Sequence, residues 1–370
     1  MDMALAMILE LKEDCAEVNS VTTILKLHPN NTAKSLDYLF KVCGEISDMI
    51  FIKERSALYE NAINIFKNNN VPYKLYNKSS DVIIADDVLE NSCLLRSHAD
   101  LDHLSLHLGS IVRQNNNKVY VFLDGCYPPL QSIPVKYFNK SNAKHADIFL
   151  LNAIDHKKAI ESVGYKGKTR LAGYFKLYNQ WLKRSQKEAD RRYRTYNRKF
   201  KICVFTRGER LDQPPEKQLL TNENLKQILK DIFYCANQLF TNYKILIKPH
   251  PAQDLSVFED INCKHSEIVE DHPAVLASVS DMVITTWSTS AIDAIAAKVP
   301  CIEYFIPTNY FKEIYPKGSS FRFLNILVAN DHNDLMDCML KVKNKAYMPP
   351  EPSKILQHRN LLANALAGFE

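Results

Sequence analysis

The sequence predicts an α/β protein built from parallel sheets. Short apolar runs alternate with longer amphipathic ones along the chain, as strands alternate with their covering helices in such folds. The 370 residues suffice for two domains of ordinary size, and 46% hydrophobic with 24% charged residues is a globular composition. We therefore expect two Rossmann-like domains whose parallel sheets face each other across a cleft.

The predicted strands are short and rich in β-branched residues, with helices between them. The strands span 49–53, 82–85, 118–123, 148–152, 201–206, 244–248, 282–286 and 301–306. The helices span 56–67, 101–113, 155–163, 222–239, 273–280 and 290–298. In sheets of this kind, ligands bind at the carboxyl ends of the strands, where loops lead into helix N-termini.

A basic segment marks the predicted domain boundary. Residues 176–201 contain ten Lys and Arg against two acidic residues, a local charge of +8 in a chain of +5. We expect one domain over 1–190, a second over 191–350, and a final helix over 351–370 that packs back on the first domain. The basic segment suits an anionic membrane surface or an acidic polymer, and a solvated interdomain helix is the alternative.

Composition also indicates the location and excludes some partners. Nine cysteines without a C-x-x-C pair favour reduced thiols over a disulfide framework. No apolar run reaches the ~18 residues that span a bilayer, and the opening stretch lacks a basic leader. We expect a cytoplasmic protein that binds the inner face of the membrane peripherally through residues 176–201. No recognised motif predicts a nucleic-acid partner.

The first candidate site follows the strand 244–248. Lys248-Pro249-His250-Pro251 places an imidazole just beyond the strand, between two prolines that fix the backbone. His250 can there donate a hydrogen bond to a phosphate, or a proton to a leaving phosphate oxygen. Lys248 and Pro251 belong to the same predicted donor site. A turn histidine without a ligand is the alternative interpretation.

A run of hydroxyl side chains follows the strand 282–286. Ser288, Thr289 and Ser290 stand before an alanine-rich helix. A helix N-terminus offers free N–H groups and a partial positive charge, and hydroxyls add further donors. The run therefore predicts a phosphate-binding site. Ordinary N-capping is the alternative, and Ser290 with Asp293 has the spacing of a capping box.

Two more loops of the second domain carry candidate ligand-binding residues. Glu270 lies ahead of a predicted helix, where a carboxylate suits ribose hydroxyls. Arg207 and Gly208 follow the strand 201–206, and Arg207 or Arg210 would bind a phosphate or a sugar carboxylate as a planar fork. Solvated loop residues are the alternative in both places.

The first domain supplies the candidate base. The strand 118–123 ends in Asp124-Gly125, and the glycine permits a close turn that leaves the carboxylate facing the cleft. A lone carboxylate there suits a general base that takes a proton from an acceptor hydroxyl. A turn aspartate without a catalytic role is the alternative.

Polar residues ahead of that strand are candidates for binding the acceptor. We assign this role to His98 and His103 because they precede the proposed base. The set His98, Asp100, Asp102, His103 and His107 also has a metal-like composition, since 103 and 107 share a helical face. A polar helix that faces solvent or the cleft explains the set as well, and we expect no metal site.

Three motifs occur in the order found in one group of enzymes. Leu123-Asp124-Gly125, His250-Pro251 and Ser288-Thr289-Ser290 resemble the acidic-Gly, His-Pro and Ser-Ser/Thr motifs of bacterial sialyltransferases and polysialyltransferases, which are GT-B glycosyltransferases. Capsule Kdo transferases and CDP-glycerol glycerophosphotransferases share a similar second domain. The resemblance is strongest over 200–310 and patchy over 118–176. Leu123 stands where the family usually has a second acid.

The resemblance implies a reaction and roles for single residues. It implies transfer of a CMP-activated sugar acid (sialic acid or a related nonulosonate or Kdo) to a hydroxyl of a glycan or lipid-linked glycan in capsule or other cell-surface polysaccharide synthesis. Asp124 would be the base of an inverting displacement, His250 the phosphate contact or acid, and Ser288 and Thr289 hydrogen-bond donors to phosphate. The domain over 1–190 would bind the acceptor, and the domain over 191–350 the nucleotide sugar.

The charge of the leaving group bears on the cofactor. A single leaving phosphate can be stabilised by helix N–H groups, hydroxyls and one histidine without Mg²⁺. No Asp-x-Asp follows a strand in the second domain. We therefore expect neither a metal nor another cofactor. A CDP-glycerol- or UDP-sugar-dependent enzyme on the same fold, and a non-catalytic glycan-binding subunit, are the alternatives.

Overall fold

A computed structural model shows two compact units joined within one helix. The first unit holds the chain up to Trp181, and the second runs from Leu182 to Ile355. The predicted boundary near residue 190 lies in the same helix, which spans Asn179–Arg192. The structure describes residues 2–14, 21–25, 33–53, 59–78, 82, 93–97, 103–122, 146–153, 155–162, 165–196, 198–210, 213–251, 253–259, 264–316 and 318–352.

The first unit contains seven described strands. They are β1 (Thr22–Leu25), β2 (Met49–Lys53), β3 (Tyr73–Tyr76), β4 (Cys93–Ser97), β5 (Lys118–Phe122), β6 (Ile148–Leu151) and β7 (Lys168–Leu171). Their described residues form a three-stranded sheet in the order β1-β2-β3 and a four-stranded sheet in the order β4-β5-β6-β7. The strand pairs recorded within both sheets are parallel.

Helices alternate with these strands. They are α1 (Asp2–Asp14), α2 (Ala33–Ile46), α3 (Tyr59–Asn68), α4 (His103–Gln114), α5 (Asp155–Ser162) and α6 (Asn179–Arg192), with a 3-10 turn at Phe175–Leu177. One apolar cluster packs Leu104 and Leu108 of α4 against Phe51 of β2 and Tyr76 of β3. A second cluster joins α4 and α5 to β5 and β6. The helices therefore cover the strands of both sheets.

The second unit is built on one six-stranded parallel sheet. Its strands are β8 (Phe200–Phe205), β9 (Tyr243–Lys248), β10 (Ser266–Ile268), β11 (Met282–Thr285), β12 (Cys301–Tyr304) and β13 (Leu327–Ala329). Their order across the sheet is β10-β9-β8-β11-β12-β13. The central strands β8, β9 and β11 are almost wholly buried, as expected of a sheet with helices on both faces.

The helices of the second unit begin at polar caps in several places. They are α7 (Asn222–Leu239), α8 (Pro273–Val279), α9 (Ser290–Ala296), α10 (Asn309–Ile314) and α11 (His332–Lys343), with 3-10 turns at Arg194–Tyr196, Pro215–Lys217, Ser256–Phe258 and Ser320–Leu324. The Thr221 hydroxyl accepts from Asn224 N–H at 3.1 Å and starts α7. Thr308 starts α10 through Phe311 N–H, also at 3.1 Å.

The α/β prediction is confirmed, and most predicted elements end within one or two residues of the observed ones. In the segment predicted as a strand over 82–85, only Val82 is described, and it is buried. The final helix predicted over 351–370 lies almost wholly outside the described residues. No helix in the described part of the chain is both long and apolar enough to cross a membrane.

Candidate functional site

The strand order of the second unit contains a topological switch point. From β8 the chain proceeds to β9 and β10 on one side and later to β11, β12 and β13 on the other. The order therefore reverses between β8 and β11, and their carboxyl ends form a topological switch point. Ligands of open α/β sheets bind in the crevice outside such a point. The segments 206–210 and 286–289 leave the sheet there.

Backbone and hydroxyl groups tie these two segments together. Arg207 N–H donates to the Thr286 hydroxyl at 2.6 Å. Thr286 N–H donates to the Phe205 carbonyl at 3.0 Å, and Thr206 N–H donates to the Lys248 carbonyl at 3.0 Å. Thr286 is fully buried. The ends of β8, β9 and β11 are thus fixed to one another by hydrogen bonds.

Arg207 makes a cation–π contact with an aromatic side chain from the second segment. Its guanidinium carbon lies 4.4 Å from the centroid of the Trp287 ring, a cation–π contact. Trp287 has a φ of 59°, in the left-handed region that a bulky residue rarely adopts. Sequence reasoning gave Trp287 no role, although an aromatic residue directly after a buried strand and within a hydroxyl run was a usable signal.

The hydroxyl run forms its own hydrogen-bonded turn. Ser288 N–H donates to Thr285 Oγ1 at 3.1 Å, and Ser290 N–H donates to Ser288 Oγ at 3.2 Å. The Ser288 hydroxyl also donates to Ser290 Oγ at 3.1 Å. Thr289 is exposed at the start of α9 and makes no side-chain capping bond. Ser288 and Thr289 therefore lie at the carboxyl end of β11, as predicted, and Ser290 is buried.

The predicted capping box of Ser290 and Asp293 is wrong. Ser290 is the first residue of α9 rather than its N-cap, because Thr289 already has helical dihedrals. The helix begins with a tight turn in which Ala291 N–H donates to the Ser288 carbonyl at 3.1 Å and Ile292 N–H to the Thr289 carbonyl at 3.0 Å. Ser288 takes the place of the capping hydroxyl.

The segment after β9 adds a buried cation and the imidazole. Lys248 is 9% exposed, and its Nζ donates to the Pro249 carbonyl at 3.1 Å. Burial lowers the pKa of Lys248, and the nearby charge of Glu270 partly opposes this shift. His250 is half-buried and Pro251 exposed. Glu270 is half-buried beyond the end of β10, so the structure brings its charge close to that of Lys248.

A buried glutamine supports the turn that carries His250. The Gln253 side-chain oxygen accepts from His250 N–H at 3.4 Å and from the Thr206 hydroxyl at 3.1 Å. Its Nε2 has no hydrogen-bond partner among the described residues. Sequence reasoning missed Gln253, because a glutamine in a loop carries no distinctive signal.

Gly208 packs closely against its neighbours. A Cβ atom there would lie 3.0 Å from Leu225 Cδ2, 3.1 Å from Asn222 Oδ1 and 3.2 Å from Gln253 Nε2. The glycine therefore lets the segment after β8 approach α7. This packing does not test the predicted contact of Gly208 with a donor.

Of the first-unit candidates, His103 is among the described residues. Asp124 and His98 lie outside the described residues, and His103 is the first residue of α4. His107 is exposed on the same helix. Within the described part of the chain, no group of three or more His, Cys, Asp or Glu side chains could hold a metal ion.

The basic segment has a buried and an exposed side. Tyr178, Trp181 and Tyr193 are buried. The Asp271 carboxylate accepts hydrogen bonds from the Arg192 guanidinium and the Tyr193 hydroxyl. Exposed cations remain at Lys183, Lys187, Arg191, Arg194 and Arg198. The aromatic residues thus serve packing, and charge alone is left for contact with an anionic surface.

Neither a protein-family model nor a characterised protein sequence matches the chain. Solved structures do match it in fold. A UDP-bound MnaA from S. aureus superposes with a TM-score of 0.53 at 13% identity, over 93% of this chain and 94% of that one. The UDP-GlcNAc 2-epimerase from Methanocaldococcus jannaschii gives 0.54 at 15%, over 90% and 94%.

A third structure is of a different kind of enzyme. The wall teichoic acid polymerase TagF, soaked with CDPG, gives a TM-score of 0.54 at 14% identity, over 99% of this chain and 90% of that one. At such identities the likeness shows the fold. The chain has the GT-B fold with two Rossmann-like domains, and the fold prediction is confirmed.

Proposed function

We propose that the chain is a nucleotide-sugar-dependent enzyme that binds its donor's nucleotide at the carboxyl edge of the second sheet. The observation that carries the proposal is the switch point between β8 and β11, where Arg207 is hydrogen-bonded to Thr286 and in cation–π contact with Trp287. Two structures of the same fold support a nucleotide ligand, since one contains UDP and the other was soaked with CDPG.

The residues around the switch point suit a phosphate. Arg207 and Lys248 supply positive charge, and the Ser288 and Thr289 hydroxyls supply neutral donors. His250 follows β9 and donates a hydrogen bond or a proton to the phosphate oxygen that leaves. Burial lowers the pKa of Lys248 and so disfavours its charged form. A bound phosphate would stabilise that charged form, because an opposite charge nearby favours it. Glu270 then accepts from the ribose hydroxyls, and Pro251, Ser290 and Gly208 complete the donor site.

The donor in this proposal is a CMP-linked sugar acid. The motif order supports it, and so does the charge of the site, because one leaving phosphate needs less compensation than two. Asp124 takes the proton of an acceptor hydroxyl in a glycan, and the displacement inverts the sugar. His98 and His103 contact the acceptor. The reaction uses no metal or other cofactor.

The exposed cations support a proposal about location. We propose that the enzyme works in the cytoplasm and binds the anionic inner face of the membrane through residues 176–201, where the side chains of Lys183 and Lys187 are exposed on α6. A lipid-linked glycan acceptor would be presented at that surface.

A second candidate is an enzyme that uses CDP-glycerol or a UDP-sugar. The comparisons favour it, because the similar structures with ligands contain UDP or were soaked with CDPG. A diphosphate would engage Arg207 and Lys248 together, since its leaving charge is larger.

A nucleotide panel separates the two candidates. The Tm of the purified chain is measured with CMP, CDP, UDP or buffer. In a separate assay, the native chain is incubated with CMP-sugars and the release of CMP is followed. The first proposal predicts the largest rise in Tm with CMP, and CMP release that is unaffected by EDTA. A larger rise with CDP or UDP and no CMP release would support the second. No rise with any nucleotide would refute nucleotide binding altogether.

Asp124→Asn tests the catalytic assignment. The variant should lose turnover and keep its affinity for the nucleotide, because the base acts on the acceptor. The chain would be a non-catalytic glycan-binding subunit if it released no nucleotide from any donor and if the substitution left its glycan binding unchanged.

A further inference from the structure

We propose that Trp287 is a positioning residue that holds the Arg207 guanidinium for the phosphate of the bound nucleotide. The inference rests on the proposed function and adds a residue to the same site. Trp287 immediately follows Thr286, the residue whose hydroxyl accepts from Arg207 N–H. The two residues therefore fix Arg207 by its backbone and by its side chain.

The contact between the guanidinium and the indole suits anion binding. The Arg207 guanidinium lies over the indole ring, with 4.4 Å between its carbon and the ring centroid. A cation–π contact engages the charge of the guanidinium through the face of the ring, and the N–H donors lie in the plane of the guanidinium. An arginine held in this way needs less ordering of its long side chain when an oxyanion binds.

The indole is itself held in place. The Phe311 ring meets it edge-on at 5.1 Å and 89°, and the Tyr315 ring lies 5.2 Å away. Phe311 also packs against Phe305 at 5.1 Å. Trp287 is 9% exposed. The ring is thus a fixed platform supported by the residues of α10 and its flanks.

The backbone of Trp287 is held in an unfavourable conformation. Its φ of 59° is left-handed, and bulky residues adopt that region only where surrounding contacts enforce it. A glycine or asparagine would fit the dihedral more easily. The turn therefore places a large aromatic ring beside Arg207 at a conformational cost, as expected of a ring with a role at the switch point.

The two tryptophans of the chain allow a direct optical test. Trp181 is buried in the first unit, where its ring lies 5.4 Å from that of Tyr38. Trp181→Phe keeps an aromatic ring there and leaves Trp287 as the only indole. This single-tryptophan parent is titrated with CMP, CDP and UDP, and with cytidine and uridine as phosphate-free controls. The fluorescence emission of Trp287 is measured at each step.

Three variants of this parent complete the design, and their affinity for nucleotide is measured by calorimetry. They are Arg207→Ala, Trp287→Leu and Trp287→Phe. We expect the parent to change emission with nucleotides and not with nucleosides at the same concentrations. Trp287→Leu should weaken nucleotide binding roughly 3- to 30-fold, the range of a cation–π contact. Arg207→Ala should weaken it by about tenfold or more, because it removes the charged hydrogen bonds to phosphate as well. Trp287→Phe should retain most of the affinity, because it keeps a ring under the guanidinium.

A double variant separates positioning from a general structural effect. If Trp287 acts only through Arg207, the double variant with Arg207→Ala and Trp287→Leu should bind no worse than Arg207→Ala alone. The inference would be overturned if Trp287→Leu bound nucleotide as tightly as the parent. It would also be overturned if the losses of binding free energy in the two single variants added fully in the double variant. A parent that binds no nucleotide would refute the proposed function and this inference together, whereas a parent that binds while both single variants are unaffected would refute this inference alone.

Discussion

Replacing Thr286 with valine tests whether the link between the two segments at the switch point is needed. The change keeps the branched shape of the side chain and removes its hydroxyl. Thr286 is fully buried, and its Oγ1 accepts from Arg207 N–H at 2.6 Å and lies 3.4 Å from the Phe205 carbonyl. Valine would therefore remove the acceptor of the Arg207 N–H group.

The magnitude follows from that one lost partner. A donor deprived of its acceptor in a partly buried place costs about 1–3 kcal/mol, and the added methyl group returns up to about 0.8 kcal/mol through apolar burial. The expected loss in free energy of unfolding is about 1–2 kcal/mol. For a domain of this size the Tm should then fall by roughly 2–8 °C.

Calorimetry of the full chain measures the effect, and Thr289→Val is the control. Thr289 is exposed and makes no side-chain capping bond, so its replacement should change the free energy of unfolding by less than about 0.5 kcal/mol. Thr289→Val should instead weaken nucleotide binding, because we propose that its hydroxyl contacts phosphate. An unchanged Tm in Thr286→Val, or an equal fall in both variants, would refute the reasoning.

Three further substitutions address other parts of the second unit. Lys248→Met should leave the Tm equal or higher, because burial of its charge is unfavourable, yet lower nucleotide affinity about tenfold or more in calorimetric titration. His250→Ala should lower turnover roughly 10²–10⁴-fold, while His265→Ala at the start of β10 leaves it unchanged. Burial alone would raise the pKa of Glu188, but hydrogen bonds from two arginines outweigh it and lower the pKa to about 2. Glu188→Gln should therefore cost about 1–3 kcal/mol in urea unfolding at pH 7.

The pH dependence of the last variant has a definite sign. The usual pKa of glutamate is 4.5, and the lowered pKa of Glu188 stabilises the folded chain above that value. The difference in free energy of unfolding between the parent and Glu188→Gln should shrink as the pH falls from about 4.5 towards 2. A constant difference between pH 7 and pH 3 would contradict the ion-pair interpretation. A marked loss of Tm in Lys248→Met, or unchanged turnover in His250→Ala, would remove those residues from the proposed site.

The strands that could be predicted from the sequence are those buried on both faces. β8, β9 and β11 have continuous apolar runs because helices cover both sides of the sheet. β3, β7 and β10 were not predicted, since each contains exposed or half-exposed polar residues. β4 and β13 were not predicted either, and β13 has only three residues. Such strands depend on pairing with a neighbour, and a local pattern does not record that pairing.

The site was predictable only where one short segment contains the signal. His250 and the run Ser288–Ser290 each lie beside a clear strand, and the structure places them at carboxyl ends as expected. The contact of Trp287 with Arg207 joins residues far apart in the chain and depends on a left-handed φ. Neither fact follows from spacing, so the proposed role of Trp287 rests on the structure.

Hydrogen–deuterium exchange of the intact chain with and without nucleotide tests the central proposal most directly. Binding at the carboxyl edge of the second sheet predicts slower exchange in 206–210 and 286–291 and at the His250 amide, since the flanking Pro249 and Pro251 have no N–H group. The loop at 240–242, which leads into the amino end of β9, should be unaffected. Protection confined to the first unit, or to the amino edge of this sheet, would contradict a nucleotide site at the β8–β11 switch point.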